Sequence, residues 1–143
     1  PLGTALLASG NTDEAFEHFQ EVARLRPDDA GAHYKLGSIL AARGELTEAG
    51  VHLGRVVELN PDHADAHYKL GRVLAVQNKL DEAVEHWERA VALDPNHADA
   101  HNDLGAAYAL RRDLQRAVAH FQQALRADPD HAEARRNLER ARQ

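Results

Sequence analysis

Residues 60–95 read NPDHADAHYKLGRVLAVQNKLDEAVEHWERAVALDP and contain one unit of a pattern that runs through the chain. Apolar residues recur at helical spacing in two stretches, Ala64–Gln77 and Leu80–Leu93. Both stretches are rich in Ala, Leu, Glu, Arg and Lys, which favour helices. Pro61 and Pro95 bound the unit because proline cannot continue a helix. The unit is therefore predicted to be a helical hairpin, and its short connection makes the two helices antiparallel neighbours.

The same pattern recurs along the chain with a step of 34 residues. Successive members of each series lie 34 positions apart: Pro27, Pro61, Pro95 and Pro129; Gly3, Gly37, Gly71 and Gly105; Ala15, Ala49, Ala83 and Ala117. A large residue follows each alanine by four positions: Phe19, Leu53, Trp87 and Phe121. Fixed self-similarity at this period is typical of a stacked array of repeats rather than of one wrapped core.

We therefore predict a single all-α array over residues 1–143. Its units are a truncated first repeat at 1–29, full repeats at 30–63, 64–97 and 98–131, and a capping helix at 132–143. The last helix, predicted at His131–Gln143, has Glu139 where the other repeats have glycine, so it needs no close neighbour beyond it. Its exposed face is predicted to be polar, with Arg135, Arg136, Glu139, Arg140 and Arg142 in water.

The glycines and the residues after the prolines carry local predictions. Glycine in a helix costs about 1 kcal/mol against alanine, so a glycine kept at one position predicts that another helix crosses closely there. The small alanines are predicted to face these glycines, and the large residues to fill the space between repeats. Four polar side chains that follow the prolines are predicted to cap the next helix: Asp28, Asp62, Asn96 and Asp130.

These series resemble the tetratricopeptide repeat family, whose pattern is roughly Trp-x2-Leu-Gly-x2-Tyr, then Ala-x3-Phe, then Pro. The third repeat, for example, supplies Leu70, Gly71, Leu74, Ala83, Trp87 and Pro95. The family's leading tryptophan is replaced by His33, His67 and His101. The resemblance implies a right-handed superhelical solenoid of antiparallel helix pairs. It also implies a concave face, lined by the first helix of each pair, that binds an extended or helical peptide from a partner.

By this resemblance, nine residues are predicted to line the peptide-binding groove: Tyr34, Lys35, Ser38, Asp65, Tyr68, Lys69, Arg72, Asn102 and Asp103. The tyrosines offer flat surfaces. Lys35, Lys69 and Arg72 are able to pair with carboxylates of a ligand, and Asn102 with a peptide backbone. The other interpretation is an ordinary solvated face. The Lys/Asn clamp with which one subgroup of the family binds C-terminal carboxylates is not matched.

Composition excludes several classes of function. The net charge of −6 argues against a general nucleic-acid binder. The chain has no cysteine for thiol chemistry and no apolar run of about 20 residues for a membrane span. It also lacks a phosphate-binding glycine loop and a nucleophile motif, so no cofactor and no catalysis are predicted. The cytoplasm and the periplasm both remain open, and the high alanine and arginine content hints at a bacterial source.

The leading hypothesis is a non-catalytic scaffold that binds a partner protein in its groove. One alternative is that the array recruits substrate for a larger enzyme such as a glycosyltransferase. A second alternative is self-assembly, because the chain begins inside a helix and leaves Leu2 and Leu6 without their usual covering.

All ten histidines fall into three series with the 34-residue step. His63 with His67, and His97 with His101, have the i, i+4 spacing of metal ligands, but no third ligand is evident. Protonation of all ten would change the net charge from −6 to about +4, which makes acid sensitivity a second hypothesis. The favoured interpretation is packing and local hydrogen bonding at repeated positions.

Overall fold

The computed structural model describes residues 11–143, which form eight helices and no strands. The helices are α1 (Thr12–Leu25), α2 (Ala30–Ala42), α3 (Leu46–Leu59), α4 (Ala64–Val76), α5 (Leu80–Leu93), α6 (Ala98–Leu110), α7 (Leu114–Ala127) and α8 (Ala132–Ala141). Each helix packs on the next, most extensively within the pairs α2–α3, α4–α5 and α6–α7. The fold is the predicted right-handed superhelical solenoid of antiparallel helix pairs. The predictions for Leu2, Gly3 and Leu6 lie outside the described residues.

The turn inside each hairpin places one residue in the left-handed region. Its φ is 78° at Gly44, 64° at Asn78 and 62° at Arg112. In the central repeat the turn lies between the two predicted stretches, and the helices end within one residue of the prediction. Only glycine adopts this conformation without strain, so Arg112 carries a local energetic cost.

The capping prediction was wrong by one position. The N-caps are Asp29, His63, His97 and His131, whose side chains accept from the backbone N–H three residues on. In the central repeat the His63 N–H donates to the Asn60 carbonyl at 3.2 Å, which closes a turn with Pro61 and Asp62 at its centre. The residue directly after the proline is therefore held in this turn, and the next residue reaches the helix.

The predicted close approach at the mid-helix glycines is confirmed, but the facing group is not alanine. A Cβ on Gly71 would lie 2.5 Å from Nε1 of Trp87, and one on Gly105 would lie 2.5 Å from Cε1 of Phe121. The large side chain of the second helix thus packs onto the glycine of the first helix of the same hairpin. The Trp87 indole N–H also donates to the Tyr68 carbonyl at 3.1 Å. This bond and the contact with Gly71 together hold the buried ring in place.

The last helix is shorter than predicted, since His131 is its cap and Arg142 follows its end. Ala134 and Leu138 are buried against the preceding hairpin, whereas the arginines and Glu139 are exposed, as predicted for a capping helix. Within residues 11–143, no helix has the length and apolar content that a bilayer crossing requires.

Candidate functional site

The first helices of successive hairpins form one continuous surface, which we call the first-helix face (α2, α4, α6 and α8). Helix α2 touches α4, and α6 touches α8. Lys69 Nζ of α4 donates to Ser38 Oγ of α2 at 3.2 Å. Asn137 Nδ2 of α8 donates to Asn102 Oδ1 of α6 at 3.0 Å. The predicted groove residues are therefore brought together on one face, because each stands at the same few positions of its helix.

Two of the predicted groove residues bond each other. The Tyr34 hydroxyl donates to the Asp65 carboxylate, which also accepts from His97 Nε2 at 3.2 Å. The hydrogen bond from His97 is the main reason that the pKa of Asp65 falls to about 2. Burial, followed by the bond to Asp65, raises the pKa of Tyr34 well above its usual value. These hydrogen bonds connect the first helices of two hairpins and the cap of the next. The spacing of the residues in the sequence does not reveal this structural role.

Asn102 is the least accessible of the predicted groove residues, with 2% of its surface exposed. Its amide oxygen accepts from Asn137 at the junction with the last helix. Tyr68 is also buried; its ring lies 4.6 Å from that of His97, and its hydroxyl end is near the carboxylates of Asp103 and Asp99. Both residues contribute to packing between repeats.

Three cations remain available on the half of the face formed by α2 and α4. The Nζ atoms of Lys35 and Lys69 lie 5.9 and 5.1 Å from the centre of the Tyr34 ring. Neither lysine is within ion-pair distance of a carboxylate among residues 11–143. Arg72 reaches Asp103 only at 4.0 Å and its side chain is 65% exposed. These groups therefore retain the capacity to bind anions of a ligand.

The face becomes acidic toward α6. Burial raises the pKa of Asp103 to about 6, against the opposing effect of Arg72 and with smaller contributions from Glu133 and Asp99. The Asp103 carboxylate is thus only partly compensated by Arg72. A charged ligand would meet cations at one end of the face and carboxylates beyond them.

Three clefts open on the first-helix face that the sequence analysis did not find, one of which, of about 360 Å³, lies beside Tyr34 and Lys35. Cleft 1, of about 340 Å³, is lined by Lys69 and Arg72 and by apolar groups that include Ala42 and Leu46. Cleft 2, of about 380 Å³, lies beside α8 and is lined by apolar groups that include Leu110 and Leu114.

The sequence signal that could have revealed these clefts is the apolar residue at the end of each first helix: Ala42, Val76 and Leu110. Whether such a residue is exposed depends on how the neighbouring helices pack, which the sequence alone does not show.

The histidines form a repeated set of contacts inside the hairpins. The Nδ1 atoms of His33 and His52 lie 2.9 Å apart, those of His67 and His86 3.0 Å, and those of His101 and His120 3.1 Å. In each pair, Nε2 of the first histidine lies 2.8 or 2.9 Å from a proline carbonyl. That carbonyl requires N–H on Nε2, so the same ring accepts through Nδ1 and the second histidine donates.

The i, i+4 histidine pairs do not converge. His63 and His97 use Nδ1 to cap their helices, whereas His67 and His101 bond the second helix. Among residues 11–143 no group of three or more histidine or carboxylate side chains is arranged to hold a metal. The geometry favours the interpretation of packing and local hydrogen bonding.

Comparison with known proteins establishes the family. A family model described as a tetratricopeptide repeat matches residues 1–55 and 69–132, and a second, described as a TPR repeat, matches residues 37–77. The chain belongs to the tetratricopeptide repeat family. It is a repeat scaffold, an architecture consistent with protein–protein interaction.

Solved structures show the same architecture. A crystal structure of MamA superposes with a TM-score of 0.88 at 24% identity, covering 99% of this chain and 82% of that one. MamA from Desulfovibrio magneticus RS-1 gives 0.85 at 28% identity, with coverage of 98% and 79%. Cut9, in its complex with Hcn1, gives 0.86 at 22% identity, with coverage of 99% and 29%. No curated protein matches the chain significantly.

Proposed function

We propose that the chain is a non-catalytic interaction module that binds a segment of a partner protein on the first-helix face. The observation that carries the proposal is that Lys69 and Arg72 line an open, largely apolar cleft, with Lys35 beside the neighbouring cleft of the same face. Surface cations usually find a nearby carboxylate or point into water, whereas these lie along a continuous face next to apolar surface. Such a combination favours a peptide over a small, highly polar ligand.

Reversal of two of these charges tests the proposal. Phage-displayed random peptides are selected on the 143-residue chain, and the affinities of the selected peptides are then measured by fluorescence polarisation. The variant Lys69→Glu/Arg72→Glu is expected to bind them at least tenfold more weakly, because two attractive contacts become repulsive. Unchanged helical content by circular dichroism shows that the array remains folded.

The matched control is Arg55→Glu/Arg89→Glu, which makes the same charge change on the second helices α3 and α5. Those arginines form exposed pairs with Glu58 and Asp62, which contribute little stability. The control is expected to bind like the parent chain. Equal binding by both variants would place the ligand elsewhere and contradict the proposal.

A further inference from the structure

Clefts 1 and 2 of the first-helix face occupy the same position of the repeat, two repeats apart. Cleft 1 lies where α2 ends and α4 passes beside it, and cleft 2 lies where α6 ends and α8 passes beside it. Their lining residues correspond in pairs: Ala42 with Leu110, Leu46 with Leu114, and Arg72 with Arg140. The cleft beside Tyr34 and Lys35 takes the same position one repeat earlier, but it has Ser38 at the position of the arginine. The solenoid therefore repeats this depression along one face, and clefts 1 and 2 are the copies that carry Arg72 and Arg140 there.

Exposed apolar side chains concentrate at these clefts. Five large apolar side chains are prominently exposed among residues 11–143, and three of them line the clefts: Val76 at 68%, Leu110 at 75% and Leu114 at 47%. Single exposed apolar residues need no explanation, but a concentration at one position of the repeat marks an interaction surface. Each cleft has the size for one aliphatic side chain with its neighbouring backbone.

Each cleft also carries a cation that is loosely paired or unpaired among residues 11–143. Arg72 stands 4.0 Å from the nearest carboxylate, and Lys69 bonds the uncharged hydroxyl of Ser38. Arg140 forms no ion pair within residues 11–143. An apolar depression beside an arginine complements an aliphatic side chain that is followed or preceded by a carboxylate.

We propose that one segment of a partner protein occupies both clefts, placing an aliphatic side chain in each and a carboxylate beside Arg72 and Arg140. This inference rests on the proposed function, since it names the ligand class for the same face. The two sites act together: an anchor in the first cleft raises the effective concentration of the second anchor. The partner is therefore an acidic segment with two apolar anchors rather than a single terminal carboxylate.

The test uses a random library of 16-residue peptides. First helices packed about 10 Å apart put the clefts about 20 Å apart, a span that an extended chain covers in about six residues. We expect the selected peptides to be enriched, relative to the input library, in two aliphatic residues about six positions apart, each next to Asp or Glu.

Two variants test the clefts separately. Ala42→Trp fills cleft 1 from an exposed position and is expected to weaken binding of the selected peptides about tenfold. Leu110→Ser removes an apolar wall of cleft 2 and is expected to weaken it about threefold. Val51→Ser is the matched control, because Val51 is also exposed, at 68%, but lies on the second helix α3. The control is expected to leave the affinity unchanged.

The outcomes separate this inference from the proposed function. Peptides that lose affinity for Lys69→Glu/Arg72→Glu but lack the acidic and aliphatic pattern, or that bind Ala42→Trp normally, would overturn the two-cleft inference alone. A selection that yields no peptide sensitive to that charge reversal would overturn both.

Discussion

Two carboxylates on the first-helix face have opposite effects on the stability of the fold when they are ionised. Asp65 accepts hydrogen bonds from Tyr34 and His97, and its pKa is lowered to about 2, chiefly by the bond from His97. It therefore stabilises the fold above its unfolded pKa of about 3.9, and this contribution is lost as the pH falls toward 2. Burial raises the pKa of Asp103 to about 6, so ionisation of Asp103 destabilises the folded state.

The substitution Asp103→Asn is expected to stabilise the chain at pH 7.5. The folded-state pKa is about 2 units above the unfolded value, so the cost of ionising the buried carboxylate builds up from about pH 4 and is fully present above about pH 6. This pKa already includes the opposing effect of Arg72, and after allowance for solvent screening the gain in unfolding free energy is about 1–2 kcal/mol. Urea denaturation at pH 7.5 measures it.

The same measurement at pH 4 provides the control, because pH 4 is close to the unfolded pKa, little of the cost has built up there, and the gain should shrink. A variant that is less stable than the parent chain at pH 7.5 would show that the pairing of Asp103 with Arg72 outweighs the cost of burial.

At the level of helices, each hairpin depends on the contact between a glycine and a large side chain. The Gly71 position admits no Cβ because the Trp87 ring lies against it, and the Leu53 and Phe121 side chains hold the same place in the neighbouring hairpins. Leu53 and Phe121 have at most 1% of their surface exposed. The recurring glycine is thus a condition for close packing within a hairpin rather than between repeats.

The substitution Gly71→Ala is expected to lower the unfolding free energy by about 2–3 kcal/mol. The new methyl group displaces Trp87, overpacks the hairpin and disturbs the indole bond to Tyr68, and these costs exceed the gain in helix propensity. Thermal and urea denaturation measure the loss.

Gly54→Ala is the matched control, since Gly54 also lies within a helix but has open space around its Cβ position. It is expected to stabilise the chain by about 0.5–1 kcal/mol through helix propensity alone. Equal effects of the two substitutions would contradict the role assigned to the close contact.

Much of the helical architecture was predictable from the sequence, and the reasons are local. Prolines, glycines and apolar spacing set the bounds of the central hairpin, Ala64–Val76 and Leu80–Leu93, to within one residue. The caps were misplaced because a turn after the proline, with Asp62 inside it, depends on backbone bonds that spacing does not encode. The alanine contact was misassigned because both Ala83 and Trp87 face inward, and only the packing shows which one meets the glycine.

For the candidate site, the sequence predicted which residues share the face but not which of them are already occupied. Tyr34 and Asp65 stand at groove positions, yet they bond each other across a repeat boundary. Cleft 1 was missed because the exposure of Val76 results from the packing of neighbouring helices. Ligand binding by the remaining groove residues stays a prediction.

Across the whole molecule, three successive hairpins each contain one imidazole pair, which links the first helix of that hairpin to its second helix. In each pair, burial and then the neighbouring imidazole lower the pKa of the second histidine, which is His52, His86 or His120. A histidine whose pKa is lower in the folded state than in the unfolded state contributes its full stabilisation of the fold above the unfolded pKa of about 6.5. This contribution is lost as the pH falls through the folded-state pKa. The hydrogen bond that His97 donates to Asp65 raises the pKa of His97, which has the opposite effect, but this is one histidine against the three above.

The chain is therefore expected to lose stability between pH 7.5 and pH 5.5. Urea midpoints at several pH values measure this loss, which the variant His52→Gln/His86→Gln/His120→Gln should reduce, because glutamine keeps an N–H donor but does not titrate. His18→Gln is the control: His18 belongs to the same series but forms no imidazole pair among the described residues. A parent chain with the same midpoint at both pH values would contradict the expectation.

The bonds around Asp65 link the third hairpin to the hairpins on both sides of it. Tyr34 belongs to α2, Asp65 to α4, and His97 to the cap of α6, so one short network spans three consecutive hairpins. In an array coupled only pairwise, an end unit frays without disturbing any unit beyond its immediate neighbour. Here each bond also joins adjacent hairpins, but both end on the one carboxylate of the third hairpin, so loss of Asp65 would weaken the two boundaries of that hairpin at once.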